Sequence, residues 1–459
     1  MNNETRDTFS GKFGVFMSVI AAAVGLGSIW RFPYLLGVNG GGAFLVIYIA
    51  FMLIIGLPVM ISEFVIGRRG QGNVFRSYKA LSPRSYWYLA GFMGILTCLI
   101  VLAFYSTISG WAFQYMMRSA MNIFSTPVEV DHRQYFETFT SGAVLPLVWM
   151  FTFMILTVII VMFGVQKGIE KYSKILMPVL FFSLIALAIK GLSLPGSLEG
   201  LKFLFYPDFS KINTSTILSA LGQAAFSMGI GGGMMITFGS YIKKDENLPR
   251  MAFSVTLVDI IIAVIAAIAI FPAVFAFGMH PEEGPGLVYI VYPAIFEQMH
   301  GGNIFALSFF FMLIIAAITS AVPTLEVLVA FLREEFKMKR STATLLSAVF
   351  PAFLGIFTTL SFGRLNSVKI FGLTIFECSN FFTSNILLPF GLFSVVIFLG
   401  WFYNKDHVKD EINNQGKLSS RLFPVFLFLL RYIAPACVLF VFLKGVGVEG
   451  FGLLESLLG

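Results

Sequence analysis

The chain has 459 residues, of which 57% are hydrophobic and only 12% charged, and 53 of them are Phe. No water-soluble domain buries so large an apolar share, so the composition excludes soluble enzymes and soluble binding modules and predicts a polytopic membrane protein. The formal charge of +7 has the sign that suits a nucleic-acid partner, but the placement of the basic residues along the chain argues against one.

The apolar runs are long and continuous, unlike the ten-residue alternations of barrel strands, so the predicted class is all-α. Eleven transmembrane helices are expected, near 12–36, 41–67, 87–117, 143–164, 170–190, 214–242, 251–278, 303–332, 342–360, 371–402 and 422–444. The first is not a cleaved leader, because the run from Phe13 enters Arg31-Phe32-Pro33 with no small-residue exit. The last residues, 446–459, are too short for a twelfth span.

The first span carries Gly25, Gly27, Arg31 and Pro33 at mid-depth. Glycine costs a helix roughly 1 kcal/mol relative to Ala, and proline removes an amide donor. Irregular backbone at membrane depth survives only where protein buries it or a wet cavity accepts it. A kinked helix with small packing residues is the plainer alternative. The sixth span repeats the feature, with Gly229, Gly231, Gly232 and Gly233 interrupting it. The two breaks lie five spans apart, so the spans carrying them run in opposite directions. This is the pattern of a 5+5 inverted repeat, expected over 12–190 and 214–402 with a last helix at 422–444. Half-helix N-termini suit a carboxylate, and freed carbonyls suit a cation, so a zwitterion such as an amino acid fits.

Between the spans, basic residues concentrate in alternate connections. One set holds Arg68, Arg69, Arg76, Lys79 and Arg84, then Lys167, Lys171 and Lys174, then Lys243, Lys244 and Arg250. The same side continues with Arg333, Lys337, Lys339 and Arg340, and with Lys405, Lys409, Lys417 and Arg421. The expected topology is therefore N-terminus cytoplasmic and C-terminus outside, and the basic charge is topological. A short helix within 288–299 is expected in the connection between spans 7 and 8. His132, His280, His300 and His407 fall in connections, and no metal-ligand or nucleophile–base spacing appears. Cys98, Cys378 and Cys437 lie inside apolar runs and suggest packing, with no disulfide framework. No sequence feature sets an oligomeric state.

The block Gly25-Leu26-Gly27-Ser28-Ile29-Trp30-Arg31-Phe32-Pro33 resembles the neurotransmitter:sodium symporter family, as do Asn39-Gly40-Gly41-Gly42-Ala43-Phe44, Gly222-Gln223 and Thr319-Ser320. Eleven spans resemble its bacterial members, including carriers of leucine, tyrosine and other hydrophobic amino acids. The resemblance implies Na⁺-coupled import of an L-amino acid by alternating access, across a bacterial inner membrane. It also implies no enzymatic chemistry and no partner beyond substrate, ions and lipid. A proton-coupled carrier of related fold and a non-transporting amino-acid sensor are the competing readings.

Carried over by position, the resemblance implies a sodium site from Ala21, Val24, Ala316, Thr319 and Ser320. Hydroxyls in spanning helices also serve simply to bond neighbouring backbone. A first sodium site would use Ala23, Ser28, Ser227 and Asp259, where relatives commonly carry Asn, Thr and Asn at the last three positions. Ser28 reaches less far than Asn. Asp259, a lone acid among apolar residues, is expected to ligate Na⁺ and to supply the negative charge that chloride supplies in animal relatives. Chloride is then not expected as a cofactor; a purely structural acid is the alternative.

For the substrate, the resemblance implies the Leu26 and Gly27 amides and Tyr105 at the carboxylate, and Ala23, Phe226, Ser227 and Gly229 at the ammonium. Val101, Phe226, Gly232, Ala321 and Thr324 would line the side-chain pocket. Gly25 stands where monoamine carriers place an Asp, so the substrate should keep its carboxylate. Gly232 and Ala321 are small, which favours a bulky hydrophobic or aromatic side chain. Outer gating is expected from Arg31 and Phe226, with Glu377 or Asn380 as the partner of Arg31. Inner gating is expected from Arg6 and Phe9 against Ser240, Tyr241 and Glu334. Glu63 and Glu326 are further buried acids, expected to hold broken backbone or to serve a counter-transport path.

Overall fold

The computed structural model describes residues 7–121, 131–278, 287–299, 301–414, 416–417 and 421–443. Among the described residues, nine single helices are long and apolar enough to cross a membrane. They are Gly42–Gly70, Tyr88–Ala120, Val144–Met162, Val165–Leu192, Leu248–Ala276, Gly302–Phe336, Arg340–Leu360, Ile375–Phe402 and Phe423–Leu443. A tenth arises if the pair Lys12–Ala23 and Gly27–Val38, bent by 50°, counts as one span.

The expected count of eleven is thus not reached by length. Span 214–242 is divided into Thr214–Ser227, 14 residues, and Met234–Gly239, 6 residues, and neither crosses alone. The expected short helix in the 7–8 connection is present as Tyr292–Gln298, preceded by a turn at Leu287–Val291. The expected span 371–402 begins later. A two-residue hairpin, Lys369–Ile370 against Leu373–Thr374, comes first, and Thr374 then caps the helix reciprocally with Glu377.

Local chemistry explains the interruptions. Val24 leaves the first helix in an extended conformation. A side chain on Gly25 would run into the Ser320 hydroxyl, so glycine there serves close approach. The chain re-enters helix at Gly27 with a π turn, in which the Phe32 amide reaches the Gly27 carbonyl. Pro33 sits beyond the break, six residues into the second half and just after the π turn. In the sixth span, Gly229, Gly231 and Gly233 take φ of +61°, +85° and +79°, which only glycine adopts without strain.

Tyr88–Ala120 and Gly302–Phe336 form the most extensive helix pair at the centre. The most hydrophobic stretches of Gly302–Phe336 and Leu248–Ala276 are each 67% buried, whereas those of Val165–Leu192 and Phe423–Leu443 are 33% and 28% buried. The outer helices accordingly show bare Phe182, Ile189, Val349, Phe350, Phe353 and Leu443, the surface a lipid phase accepts. On the face holding the N-terminal segment, Arg68 is buried. It bonds Glu411 at 2.5 Å and the Glu246 carbonyl at 2.7 Å, tying three connections together.

Packing against the Gly231 turn admits no extra atoms. A Cβ on Gly391 would overlap the Gly231 carbonyl, whereas one on Gly222 meets nothing within 4 Å. Gly391→Val is expected to lower the melting temperature in detergent by several degrees, with overpacking costing about 1–3 kcal/mol. Gly222→Ala should leave the melting temperature unchanged or slightly raised, as read by fluorescence-detected unfolding.

Candidate substrate and ion site

The two breaks face each other across a small internal cavity of ≈ 60 Å³. Ala23, Gly27, Val101, Tyr105, Phe226, Ser227, Gly229, Gly232 and Thr324 line it, all of them residues singled out in the sequence. Leu26 stands behind this wall, with its amide 3.4 Å from the Tyr105 hydroxyl. Ala321 is fully buried and is not part of the lining. Thr97, Cys98, Leu388 and Met234 also line the cavity, and sequence reasoning missed all four. None lies in a recognisable motif; only the crossing of their helices brings them there.

Several backbone groups freed at the breaks are bonded by side chains. The Glu63 carboxylate accepts the Gly231 amide at 2.6 Å. The Gln223 amide donates to the Gly27 carbonyl at 2.8 Å, and the Cys98 thiol donates to the Gly232 carbonyl at 3.1 Å. Glu63 therefore holds broken backbone, one of the two roles open to it from sequence.

Beside the cavity, Asp259 forms the centre of a buried polar cluster. Ser28 donates to one carboxylate oxygen at 2.5 Å, and Ser227 to the other at 3.0 Å. Ser28 and Ser227 lie 2.7 Å apart, and the Tyr48 hydroxyl donates to Ser227 at 3.1 Å. Although shorter than Asn, Ser28 reaches Asp259 on the Leu248–Ala276 helix, while its neighbour Gly27 lies against the sixth span, where a Cβ would stand 3.1 Å from the Phe226 ring. Tyr48 carries no sequence signal, being one tyrosine in an apolar run.

The second group of oxygens also converges. Thr319 Oγ1 lies 3.0 Å from the Ala316 carbonyl and 3.5 Å from the Val24 carbonyl. The Ser320 hydroxyl lies against Gly25. Ala21 is buried in the last turn before the break. These are carbonyl and hydroxyl oxygens without a carboxylate, a donor set suited to a hard monovalent cation. Among the described residues, no group of three His, Cys, Asp or Glu side chains is placed to hold a metal ion.

Above the cavity a vestibule of ≈ 830 Å³ leads toward solvent. Phe226, Ile230 and Leu388 line both spaces and form the partition between them. The Arg31 guanidinium lies 4.4 Å from the centre of the Phe226 ring, a cation–π contact over that partition. Glu377 lines the vestibule, but its carboxylate is spent on the Thr374 amide and hydroxyl, both at 2.8 Å. Asn380 lines the vestibule too, with its carbonyl oxygen 3.4 Å from the Ser384 hydroxyl.

The opposite face is closed. Phe9 is fully buried against the Phe238 and Tyr241 rings, at 5.8 and 6.1 Å between centroids. Asp7 pairs with Arg333 at 2.5 Å and with Arg340 at 3.5 Å. Arg340 pairs with buried Glu326, which also accepts the Tyr241 hydroxyl at 2.8 Å. The Ser240 hydroxyl turns back to the Thr237 carbonyl. Glu334 accepts the Asn73 backbone and side-chain amides at 2.7 and 3.1 Å, while Arg6 lies outside the described residues. On the other flank, Glu170 accepts the Ser10 amide at 2.7 Å and Lys174 at 2.6 Å.

A bundle of apolar helices, two of them broken around a central cavity that a thin partition separates from a vestibule on one face and that is sealed at the other, is the build of a membrane carrier. The comparisons make that specific. The model of the Sodium:neurotransmitter symporter family matches residues 6–129 and 140–449. An uncharacterized sodium-dependent transporter of Bacillus subtilis, YhdH, is 39% identical over 98% of this chain and 100% of its own length. An uncharacterized sodium-dependent transporter of Haemophilus influenzae is 34% identical over 97% of this chain and 99% of its own. Among solved structures, MhsT in complex with L-phenylalanine superposes with a TM-score of 0.89 at 41% identity, covering 96% of this chain and 100% of MhsT. The chain belongs to the sodium:neurotransmitter symporter family. It is a sodium-dependent transporter and not an enzyme.

If Tyr48 supports the Asp259 cluster, Tyr48→Phe removes a buried hydrogen bond worth a net 0.5–1.5 kcal/mol or so. Sodium half-saturation of substrate binding should then rise roughly 2- to 10-fold. An unchanged sodium titration would place Tyr48 outside the ion-linked network.

Proposed function

We propose that the protein is a symporter that uses the sodium gradient to import a bulky hydrophobic or aromatic L-amino acid by alternating access. The observation that carries this is the pair of facing breaks around one cavity. Gly27 and the Tyr105 hydroxyl stand at one wall, with the Leu26 amide behind that hydroxyl, and the carbonyl-bearing turn 226–229 stands at another. With glycine at position 25, nothing there neutralises an amine in place of a substrate carboxylate. A solved relative, MhsT, holds L-phenylalanine, which supports the same class of ligand here.

In this reading two sodium ions bind. One sits among the oxygens of Ala21, Val24, Ala316, Thr319 and Ser320. The other sits among Ala23, Ser28, Ser227 and Asp259, with the substrate carboxylate completing the shell. Binding energy from ion and substrate draws the two half-helix pairs together, and Phe226 with Arg31 closes over the cavity. Opening to the other side requires Phe9 to leave Phe238 and Tyr241, and Asp7 to leave Arg333 and Arg340. The basic loops support a cytoplasmic position for that side, with the N-terminus inside and the C-terminus outside a bacterial inner membrane. The inverted repeat, 12–190 with 214–402, is the symmetry that lets one scaffold serve both open states.

The test is uptake of a radiolabelled amino-acid panel by the purified protein in liposomes. An imposed inward sodium gradient should drive accumulation of bulky apolar L-amino acids. Accumulation with a proton gradient alone would favour proton coupling, and binding without uptake would favour a sensor. Replacing chloride by gluconate is expected to leave uptake unchanged, since Asp259 brings its own negative charge; a collapse of uptake would remove that role from Asp259.

A further inference from the structure

Three of the four glycines in the sixth-span break are compelled by backbone conformation, and Gly232 is not. Gly229, Gly231 and Gly233 have positive φ, whereas Gly232 takes a conformation open to any residue. A Cβ on Gly232 would also fit without collision. It would meet the Leu388 Cδ2 methyl at 3.8 Å, the Thr97 Cγ2 methyl at 3.8 Å and the Cys98 sulfur at 3.9 Å, all ordinary contacts. Neither strain nor crowding explains glycine here. Its absent side chain leaves an apolar slot at the end of the cavity.

The slot lies away from the charged end. Along the Tyr88–Ala120 helix, Tyr105 stands at the Leu26 amide, and Cys98 is seven residues earlier, roughly 10 Å along the axis. A substrate with its carboxylate at Leu26 and Tyr105 therefore points its side chain toward Thr97, Cys98 and Leu388.

The polar atoms around this end are already committed. The Thr97 hydroxyl donates to the Met93 carbonyl at 2.8 Å, which turns its methyl toward the slot. The Cys98 thiol donates to the Gly232 carbonyl. That carbonyl is packed against the same helix, 3.3 Å from where a Cβ on Gly94 would stand, so it faces away from the cavity. On the other wall the Thr324 hydroxyl bonds the Ser320 carbonyl at 2.8 Å and the Met234 sulfur at 3.3 Å. With those donors turned away, the atoms nearest the slot are the Leu388 and Thr97 methyl groups and the Cys98 sulfur, and sulfur is a poor acceptor.

We propose that the Thr97–Cys98–Gly232–Leu388 slot selects side chains that are apolar to their tip, so that the carrier takes phenylalanine and rejects tyrosine. This rests on the reading of the cavity as an amino-acid site. A phenol hydroxyl carried into the slot loses water and gains no partner. An apolar pocket discriminates against an added hydroxyl by about 100-fold.

The experiment is sodium-driven uptake in proteoliposomes containing the full chain, with L-phenylalanine, L-tyrosine and 4-fluoro-L-phenylalanine compared by initial rate and by competition. The fluoro compound extends the ring at the same position without requiring a hydrogen bond. Expected are similar handling of phenylalanine and its fluoro analogue, and tyrosine about 100-fold weaker. Leu388→Asn, or Cys98→Ser if the first variant folds poorly, adds an acceptor and should narrow the tyrosine deficit at least about tenfold. A phenylalanine-to-tyrosine ratio under about 10 in the unmodified protein overturns the proposal while leaving amino-acid transport standing. So does equal rejection of the fluoro analogue, which would make the limit one of size. Absence of sodium-dependent uptake or binding for every amino acid overturns the transport reading itself.

Discussion

Backbone polar groups freed in the middle of an apolar slab must be bonded inside the protein, because no water reaches them and each unpaired group costs several kcal/mol. Much of this structure follows from that constraint. Two helices are opened around the central cavity, where the proposed function puts ligand and ions. Each opened turn is then secured by a side chain from a neighbouring intact helix: Glu63 for the Gly231 amide, Cys98 for the Gly232 carbonyl, Tyr105 beside the Leu26 amide. Gln223 does the same for Gly27 from within the sixth span. The intact helices thus serve as a frame that keeps irregular backbone in one arrangement. Preorganised in this way, the remaining amides and carbonyls are available to a ligand without a reorganisation cost.

The same economy governs charge. Asp259 is fully buried with no basic side chain bonded to it, and hydroxyls of Ser28 and Ser227 face its two oxygens. An isolated carboxylate is expensive in such a place unless something positive joins it. In the proposed reading a sodium ion beside the cavity meets that need, and ion binding and acid burial then support one another. On the closed face, the acids are treated differently. Glu326 and Asp7 share Arg340, and Glu170 takes Lys174. Those pairs are complete within the protein, which suits a seal formed in one state and parted in another.

Much of this was legible in the sequence. Long apolar runs set the class, and the glycine-rich interruptions at 25–27 and 229–233 located the two breaks. Less legible was which residue causes what. Pro33 reads as a breaker but lies past the break, and Gly25 is demanded by Ser320, more than 290 positions away in the chain. The sixth span reads as one crossing of 29 residues or so by composition, yet it is two helices too short to cross alone. Ser28 reads as shorter in reach than Asn at a sodium-ligating position, and only the packed structure shows its hydroxyl bonded to Asp259 on the Leu248–Ala276 helix.

The sequence by itself determined what is local or additive: membrane residence, the loops that carry positive charge, and the points where helix is interrupted. These depend on composition and on the conformational limits of glycine and proline. The tertiary structure alone decided who meets whom at the breaks. Tyr48, Thr97, Cys98 and Leu388 carry no motif, and they reach the site only because helices distant in sequence cross there. It also separated the glycines into three that the backbone requires and one, Gly232, that leaves room. Periodicity and propensity act along the chain, whereas a cavity is defined by side chains converging from several helices, and that convergence is set only when the bundle packs.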